Sequence, residues 1–429
     1  MATLRWKGGA RKTAQVRSGT ITGYDATSTY KITIGVRVIS TVGTGGTANT
    51  TAVALVALLN ASTLQEFAEI TWTAPGAGVI TGTSDTAGKA FTFTLTVTGG
   101  AGTISAAANS TVNTGPNDLS SAENYDTGAL PVNGDTLEFV DTDWDVLWNL
   151  DALTGVTLAA LRIRRSFTGT NTNRHGWIGL PEINIDDTSL PYPEYRPRKM
   201  AVNATIVDIG HGPGNGSGRC YLDLQAAQSA VTVAFAAAPP SDTINQEAVQ
   251  LLGTHAANTL DVKAGTVGVA TQSGEVSTFL TIQTFGDASL RMGSGVTWTT
   301  LTHNSTGQCR VNSAGATLTL GLDAGDNGTV LCEGSGGITA TCKINSGLLD
   351  YRSSGTIADL VVCSLGTADF ALNEDGCTVS AIEVQIGGGF NDPNKKTTRT
   401  AGIDYRECGR HQCRINTGAH YRETQGAFA

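Results

Sequence analysis

Short segments in which apolar and polar residues alternate run through most of the chain, and each ends at a small or polar residue. Clear examples are 30–34, 91–98 and 289–292. Alternation with a period of two places successive side chains on opposite faces of a β-strand. The pattern therefore predicts many short strands joined by tight turns.

From about residue 260 the alternating segments repeat at a nearly fixed interval of about 20 residues. Four columns stay in phase over five repeats: Leu290, Cys309, Val330, Leu349 and Phe370; Met292, Val311, Cys332, Tyr351 and Leu372; Gly295, Gly315, Gly337, Gly355 and Gly376; and Leu301, Leu320, Cys342, Val362 and Val384. We expect the apolar columns to stack in an interior and the glycines to mark turns.

No segment with a helical period interrupts these repeats, which excludes Rossmann and leucine-rich repeat folds. A period near 20 built from strands alone is typical of a right-handed parallel β-helix, in which coils stack at about 4.8 Å. The sequence thus predicts a mainly β protein with roughly ten or more coils, which would form a rod on the order of 50 Å long.

A different pattern occupies residues 22–114. Alternating segments at 30–34 and 36–39 are followed by an apolar run, 52–59, which the polar residues 49–51 would cap at its N-terminal end. The strongly alternating segment 91–98 comes later. This order of hairpin, helix and further strands predicts a small α+β module.

These patterns divide the chain into five ranges. We predict a basic N-terminal arm (1–21), a small α+β docking module (22–114), a region that leads into and caps the β-helix (115–203), the parallel β-helix itself (204–390), and a basic C-terminal cap or tail (391–429). Aromatic residues concentrate in the third range, where they would cover the open end of the β-helix.

Composition agrees with these predictions, because the 429 residues include 53 glycines, only 11 prolines and 15% charged residues. Such a low charge content argues against a coiled coil, and 40% hydrophobic residues suffice for a core. The longest apolar run, 52–59, is far shorter than the about 20 residues that span a bilayer. The basic N-terminal residues lack the apolar region of a signal peptide, so we expect synthesis in a cytoplasm and reduced cysteines.

Charge is unevenly distributed around a net charge of −9. The first 17 residues contain five basic residues and no acidic residue, and 391–429 is also basic, whereas the body between them is acidic. Basic ends suit docking onto an acidic partner surface, and the alternative is that they are soluble tails. No basic stripe interleaved with aromatic residues follows the body, so we expect no nucleic-acid partner.

Two motifs contain residue types that bind metals. Cys408, His411 and Cys413, with His420 nearby, leave open a metal site, a local disulfide or free thiols. The segment 323–328 partly resembles a calcium loop, but it lacks the regular ligand spacing and falls where the repeat requires a turn. We assign no catalytic, cofactor-binding or metal-binding residue.

Acidic and basic side chains offer the remaining candidates. Polysaccharide-cleaving enzymes use paired carboxylates, and six acids lie in the repeats: Asp261, Glu275, Asp287, Asp350, Asp359 and Asp369. We expect no two of them in one column on adjacent coils. Two basic clusters would bind an anionic glycan or a neighbouring subunit, or pair with Asp141, Asp143, Asp145 or Glu194; the clusters are Arg162, Arg164 and Arg165, and Arg196, Arg198 and Lys199. Four cysteines, Cys309, Cys332, Cys342 and Cys363, fall in or beside the apolar columns.

Two segments resemble parts of known proteins. Residues 30–98, with YKITIG and SDTAGKAFTFTLTVTGG, resemble a small module of phage tail and virion proteins and of large adhesins. The segment NDLSSAENYDTGALPVNGDTLEF resembles the first segment of β-solenoid passengers, with Leu119 and Tyr125 where tryptophans are usual. The whole chain, including GIDYRECG at 402–409, is similar to phage-type structural proteins.

This resemblance implies a non-enzymatic structural protein of a tailed-phage virion, such as a tail spike, a tail fibre or a capsid decoration. Its N-terminal part would dock to the particle, and its β-helix would attach to the host surface or stabilise the particle. The expected partners are other virion proteins, further copies of the chain (a trimer being one arrangement) and a host-surface glycan, without membrane insertion. A tailspike polysaccharide depolymerase is the alternative, and a bacterial surface adhesin is a third, disfavoured by the lack of an export signal.

Overall fold

The computed structural model describes residues 2–88, 91–142, 144, 146–147, 153, 155–168, 178–182, 194–196, 199–216, 220–236, 247–321, 328–406 and 414–417. The chain divides into two compact units. The smaller unit comprises residues 8–130, and the larger comprises residues 1–7 and 131–429.

The elements up to residue 130 are β1 (Thr3–Trp6), β2 (Val16–Gly23), β3 (Thr29–Ile34), β4 (Arg37–Val42), α1 (Ala48–Asn60), α2 (Gln65–Ala68), β5 (Ile70–Gly76), β6 (Val79–Ser84), β7 (Thr94–Thr98), β8 (Thr103–Thr111) and a 3₁₀ turn (Ala122–Asn124). The later strands are β9 (Thr136–Phe139), β10 (Val146–Leu147), β11 (Thr157–Arg164), β12 (Ile178–Glu182), β13 (Glu194–Arg196), β14 (Met200–Ala201), β15 (Asn203–His211), β16 (Cys220–Asp223), β17 (Ala230–Val233), β18 (Val249–Leu252), β19 (Thr259–Val262), β20 (Thr266–Val269), β21 (Ser277–Gly286), β22 (Ser289–Met292), β23 (Val296–Ser305), β24 (Gln308–Val311), β25 (Ala314–Leu320), β26 (Thr329–Cys332), β27 (Ile338–Tyr351), β28 (Ile357–Asp369), β29 (Cys377–Gln385), β30 (Gly389–Asn391), β31 (Thr397–Arg399), β32 (Ile403–Arg406) and β33 (Arg414–Asn416).

The smaller unit contains a four-stranded sheet in the order β5-β6-β2-β8, a three-stranded sheet in the order β4-β3-β7, and helix α1. Helix α1 begins earlier than the apolar run indicated, because Thr47 is the N-cap and its Oγ1 accepts a hydrogen bond from the Thr50 amide at 3.1 Å. Residues 49–51, predicted as the cap, form the first turn instead. The helix buries Ala52, Leu55 and Leu59 against both sheets.

Aromatic side chains fill the core of this smaller unit. The Trp72 ring lies 5.2 Å from that of Phe93, and its Nε1 donates to the Phe67 carbonyl oxygen at 3.1 Å. All three side chains are buried. A buried indole N–H with a partner satisfies the polar end of the residue, so this part of the core is both apolar and hydrogen-bonded.

The larger unit is a parallel β-helix of about ten turns, which confirms the predicted fold class. Its strands form two ladders: β19, β21, β23 and β25 pair in one, and β20, β22, β24 and β26 pair in the other, in each case in parallel. Each strand therefore stacks on the strand two places earlier in the chain, as the coils of a β-helix require.

The β-helix extends beyond the range 204–390 in which we expected it. Strand β1 pairs in parallel with β9, and β9 pairs with β11, so residues of the predicted arm and cap form its first coils. Leu4 and Trp6 are buried, which explains why β1 lies in the sheet and is not part of a separate arm. At the other end, β31, β32 and β33 continue the parallel pairing into the predicted tail.

The first predicted column is correct for four members and wrong for the fifth. Leu290, Cys309, Val330 and Leu349 are successive register partners, but Leu349 is followed by Ala368 and not by Phe370. The coil before this strand is two residues shorter than the column assumed. Because inward positions recur every second residue, a slip of two keeps an apolar side chain inside, and the sequence pattern alone does not detect it.

The same slip affects the end of the second column. Phe370 takes the place that we predicted for Leu372, with its ring 5.6 Å from that of Tyr351 and 5.4 Å from that of Phe390. Leu372 is 58% exposed. The interior at this end of the β-helix is therefore an aromatic stack.

The fourth predicted column combines two neighbouring columns. One runs through Leu301, Leu318, Cys342, Leu360 and Ile382, and the other runs through His303, Leu320, Ile344, Val362 and Val384. All of these side chains are buried. The inward orientation was correctly predicted, and the register was wrong by two residues.

Among the predicted turn glycines, Gly315 differs from the others because it lies within strand β25. It is the register partner of Trp298 in the preceding coil and of Ile338 in the next. A Cβ added at Gly315 would lie 2.1 Å from atoms of the Trp298 indole. The buried Trp298 ring, whose Nε1 donates to Ser313 Oγ at 3.2 Å, thus occupies the space that a side chain at Gly315 would need.

Candidate functional site

A continuous row of outward-facing residues follows the ladder of β22, β24 and the strands stacked on them. We call it the charged column, and its members are Arg291, Arg310, Leu331, Asp350, Asp369, Asn391 and Asn416. These residues face outward because they alternate with the buried positions of the first two interior columns. The column begins with two arginines, passes a leucine, and ends with two aspartates and two asparagines.

Ion pairs link the charged column to the adjacent outward row. Arg352 contacts Asp350 with both ends of its guanidinium, at 3.0 Å from Nε to Oδ1 and 2.6 Å from Nη2 to Oδ2. This hydrogen bond raises the pKa of the Arg352 guanidinium. One coil earlier, Arg310 Nη2 lies 3.3 Å from Glu333 Oε2. Because these side chains are partly exposed, the pairs orient the groups more than they stabilise the fold.

Side-chain amides continue this order towards the C-terminal coils. Asn391 Nδ2 donates to Asp369 Oδ1 at 2.8 Å, and Asn416 Nδ2 donates to Asn391 Oδ1 at 2.8 Å. The amide nitrogen of Ala371 also donates to Asp369 Oδ1, at 2.9 Å. Three coils are thereby joined by a ladder of hydrogen bonds outside the apolar interior.

The expectation that no two of the six acids share a column on adjacent coils is wrong. Asp350 and Asp369 are register partners, so their Cα atoms are separated by about one strand spacing of 4.8 Å. The predicted register had placed Ala371 beside Asp350, because it was shifted by two residues. The signal for the pair was their separation of 19 residues, which equals the spacing of Leu349 and Ala368.

The pair has the spacing but not the surroundings of a hydrolytic site. Retaining glycosidases place two carboxyl groups about 5–5.5 Å apart, and one of them must deliver a proton. Here Arg352 pairs with Asp350, and two N–H groups donate to Asp369, and such contacts favour ionised carboxylates. Carboxylate, amide and guanidinium groups that repeat at the coil spacing can instead hydrogen-bond the hydroxyl groups of a polysaccharide.

The other four acids are not brought together. Asp261 lies between Thr232 and Gln283 in a different outward column. Glu275 accepts a hydrogen bond from the Gln272 amide within a turn, and Asp287 is an exposed residue in another turn. The fourth, Asp359, has Thr341 and Ala381 as its register partners.

The first basic cluster is bound within the β-helix, although not to the acids that we expected. Arg164 Nε lies 2.8 Å from Glu138 Oε1, and its Nη1 lies 3.3 Å from Asp208 Oδ2. The Arg165 guanidinium lies 4.3 Å from the centre of the Phe235 ring. These contacts connect the first coils and leave Arg164 engaged with protein acids.

In the second basic cluster, Lys199 is exposed, while Arg198 and the Arg196 side chain lie outside the described residues. The predicted motif of Cys408, His411, Cys413 and His420, and the calcium-like segment 323–327, also lie outside them. Within the described part of the chain, no group of three or more His, Cys, Asp or Glu side chains is placed to hold a metal ion.

The predicted column cysteines occupy the interior, with one exception. Cys309, Cys332 and Cys342 are buried, and Cys363, next to the inward Val362, is half-buried. Burial raises the pKa of the Cys309 thiol to about 12 and raises that of Cys332 well above its usual range. A thiol that stays protonated near neutral pH neither binds metals nor attacks substrates readily, so these cysteines act as apolar packing groups.

The fold and its outward columns place this chain in the class of parallel β-helix, or β-solenoid, proteins. No known protein family, curated protein or solved structure matches the chain. In the part that the structure describes, neither helix is long and apolar enough to cross a membrane.

Proposed function

We propose that this chain is a structural protein of a tailed-bacteriophage particle, acting as a tail spike, a tail fibre or a capsid decoration. The smaller unit docks to other virion proteins, and the β-helix contacts a host-surface glycan or stabilises the particle. The protein is made in the host cytoplasm, associates with further copies of itself and resides in the virion. No catalytic step is part of this proposal.

The observation that carries the proposal is the long β-helix with its closed apolar interior and hydrogen-bonded outer rows. Such a scaffold presents a rigid surface on which side chains repeat at each coil, which suits attachment to a repeating polymer. The resemblance of residues 30–98 and 117–139 to phage and adhesin modules supports the same conclusion. The charged column supplies groups that bind sugars, and it is the part of this surface that we assign to glycan contact.

The virion assignment is tested by purifying particles from cells that produce the chain. We expect the chain to co-sediment with tailed particles in a density gradient, and gold-labelled antibodies against it to mark one structure on them. A cytoplasmic host protein serves as the control for contamination. Presence of the chain only in the soluble fraction, with none on gradient-purified particles, would contradict the assignment.

The carboxylate pair favours a second candidate, a polysaccharide depolymerase, and one pair of variants separates it from simple binding. We expect the wild-type protein to bind capsular polysaccharide or lipopolysaccharide of its host without shortening it. Combining Asp350→Asn with Asp369→Asn should raise the Kd about tenfold or more, because charge-assisted hydrogen bonds are lost.

The matched control for this test is Asp261→Asn, which alters an acid in a different outward column. It should leave polysaccharide binding unchanged. Shortening of the polymer by the wild-type protein, abolished by Asp350→Asn, would establish the depolymerase instead. Binding that is equally insensitive to all three substitutions would remove the charged column from the proposal.

A further inference from the structure

Strand β4 forms an unusually open edge in the smaller unit. The three-stranded sheet has the order β4-β3-β7, so β4 has a neighbour on one side only. Its pairing with β3 is regular along its whole length, and Val38 and Val42 on it are 51% and 56% exposed. A regular, exposed and apolar edge strand is a template for pairing with another strand.

The edges of the neighbouring four-stranded sheet are protected, which makes β4 distinctive. Strand β5 contains Pro75 and a register shift in its pairing with β6. Strand β8 pairs with β2 through several register shifts. Proline residues and bulges of this kind prevent edge-to-edge pairing. In β4 the one charged residue is Arg37, whose Nε lies 3.6 Å from Glu66 Oε1.

The sequence of β4 is nearly symmetric about its centre. Residues 38–42 read Val-Ile-Ser-Thr-Val, with exposed Val38, Ser40 and Val42 alternating with half-buried residues. If two such strands pair in antiparallel orientation about Ser40, each Val38 lies opposite a Val42 of the other strand. The two arginines at position 37 are then at opposite ends of the pair, where they do not repel each other.

We propose that the partner of β4 is the β4 strand of a second copy of this chain, paired antiparallel across a two-fold axis at Ser40. The two three-stranded sheets become one six-stranded sheet, and four valines form an apolar cluster on its outer face. A two-fold interface uses the same patch on both subunits, which is what a strand of symmetric sequence provides. This inference does not rest on the proposed function.

Sedimentation of the full chain over a range of concentrations tests the proposal. We expect a dimer, and we expect Val38→Lys to raise its dissociation constant at least tenfold, because it places an ammonium group against the valine cluster. Val36→Lys is the matched control, since Val36 is 90% exposed and lies outside β4 at the hairpin turn. A wild-type chain that stays monomeric, or an oligomer indifferent to Val38→Lys, would overturn the proposal.

A cross-link tests the geometry independently of the charge substitution. Two antiparallel partners have Cα atoms about 4.5–5.5 Å apart, which a disulfide can bridge. Ser40→Cys should therefore give a covalent dimer under oxidising conditions. Lys31→Cys is the control, because Lys31 is the β3 register partner of Ser40 and would lie about 14 Å from its own copy. Dimers that form without the Ser40→Cys cross-link would place the interface elsewhere.

Discussion

Replacing Phe370 with alanine is expected to lower the free energy of unfolding by about 3–5 kcal/mol. The Phe370 ring is fully buried between those of Tyr351 and Phe390, with centroid distances of 5.6 and 5.4 Å. Its removal leaves a cavity in a closed interior whose backbone is fixed by pairing with two neighbouring coils. The surrounding side chains can therefore collapse only partly, and both the lost burial and the cavity contribute.

Leu372→Ala is the control that makes this prediction specific to the register. Leu372 is mostly exposed, so its truncation should change stability by no more than about 0.5 kcal/mol. Urea unfolding followed by circular dichroism measures both variants against the wild type. A large loss for Leu372→Ala would contradict the structure, because it would restore the register in which Leu372 follows Tyr351 inside the β-helix.

Gly315→Ala should destabilise the protein by about 1–3 kcal/mol, although alanine usually stabilises a strand relative to glycine. The added methyl group would lie 2.1 Å from the Trp298 ring, far inside van der Waals contact. The indole is buried and its Nε1 is hydrogen-bonded to Ser313, so it cannot move aside freely. The sign of the change therefore separates a steric requirement from a simple propensity effect.

Two further variants control the glycine prediction in the same unfolding assay. Gly402→Ala adds a methyl group where nothing lies within 4 Å, and it should be neutral or slightly stabilising. Combining Gly315→Ala with Trp298→Leu should cost less than the sum of the single changes, because the smaller side chain makes room. Strict additivity would show that Trp298 is not the group that excludes a side chain at Gly315.

The sequence pattern was sufficient to predict the class of fold but not its register throughout. Inward positions such as Leu290, Cys309 and Val330 are set by alternation and by a repeat that recurs in several columns at once. A slip of two residues preserves the inward orientation, so Ala368 and Phe370 are equally compatible with the pattern. Only the pairing of backbones distinguishes them.

The slip had a direct consequence for the candidate site. With Phe370 beside Leu349, Asp350 would face Ala371, and the carboxylate pair disappears from view. Outward positions carry no apolar periodicity of their own, so their neighbours follow entirely from the register of the interior. Asn391 and Asn416 were missed for the same reason, since their spacings from Asp369 are lengthened by irregular turns.

The place of strand β1 could not be predicted from the chain for a different reason. It has four residues, too few for a significant period, and its partner β9 begins about 130 residues later. The intervening smaller unit separates two strands that lie side by side in the β-helix. Contacts so distant in sequence leave no local pattern, and burial of Leu4 and Trp6 is evident only in three dimensions.

The central claim is that residues about 20 apart stack coil upon coil along one axis. Spin labels on one outward column measure this directly: Asp261→Cys with Lys343→Cys spans four coil steps, and Asp261→Cys with Glu383→Cys spans six. Cys363, Cys408 and Cys413 would be replaced by serine, whereas buried thiols such as Cys309, whose pKa is raised to about 12, should not react.

At about 4.8 Å per coil, the structure predicts separations of about 19 Å for the shorter pair and about 29 Å for the longer pair. The label linkers point to the same side and affect both distances alike, so the difference of about 10 Å is the decisive quantity. Two distances that are equal, or that do not grow with the number of coils, would contradict the parallel β-helix.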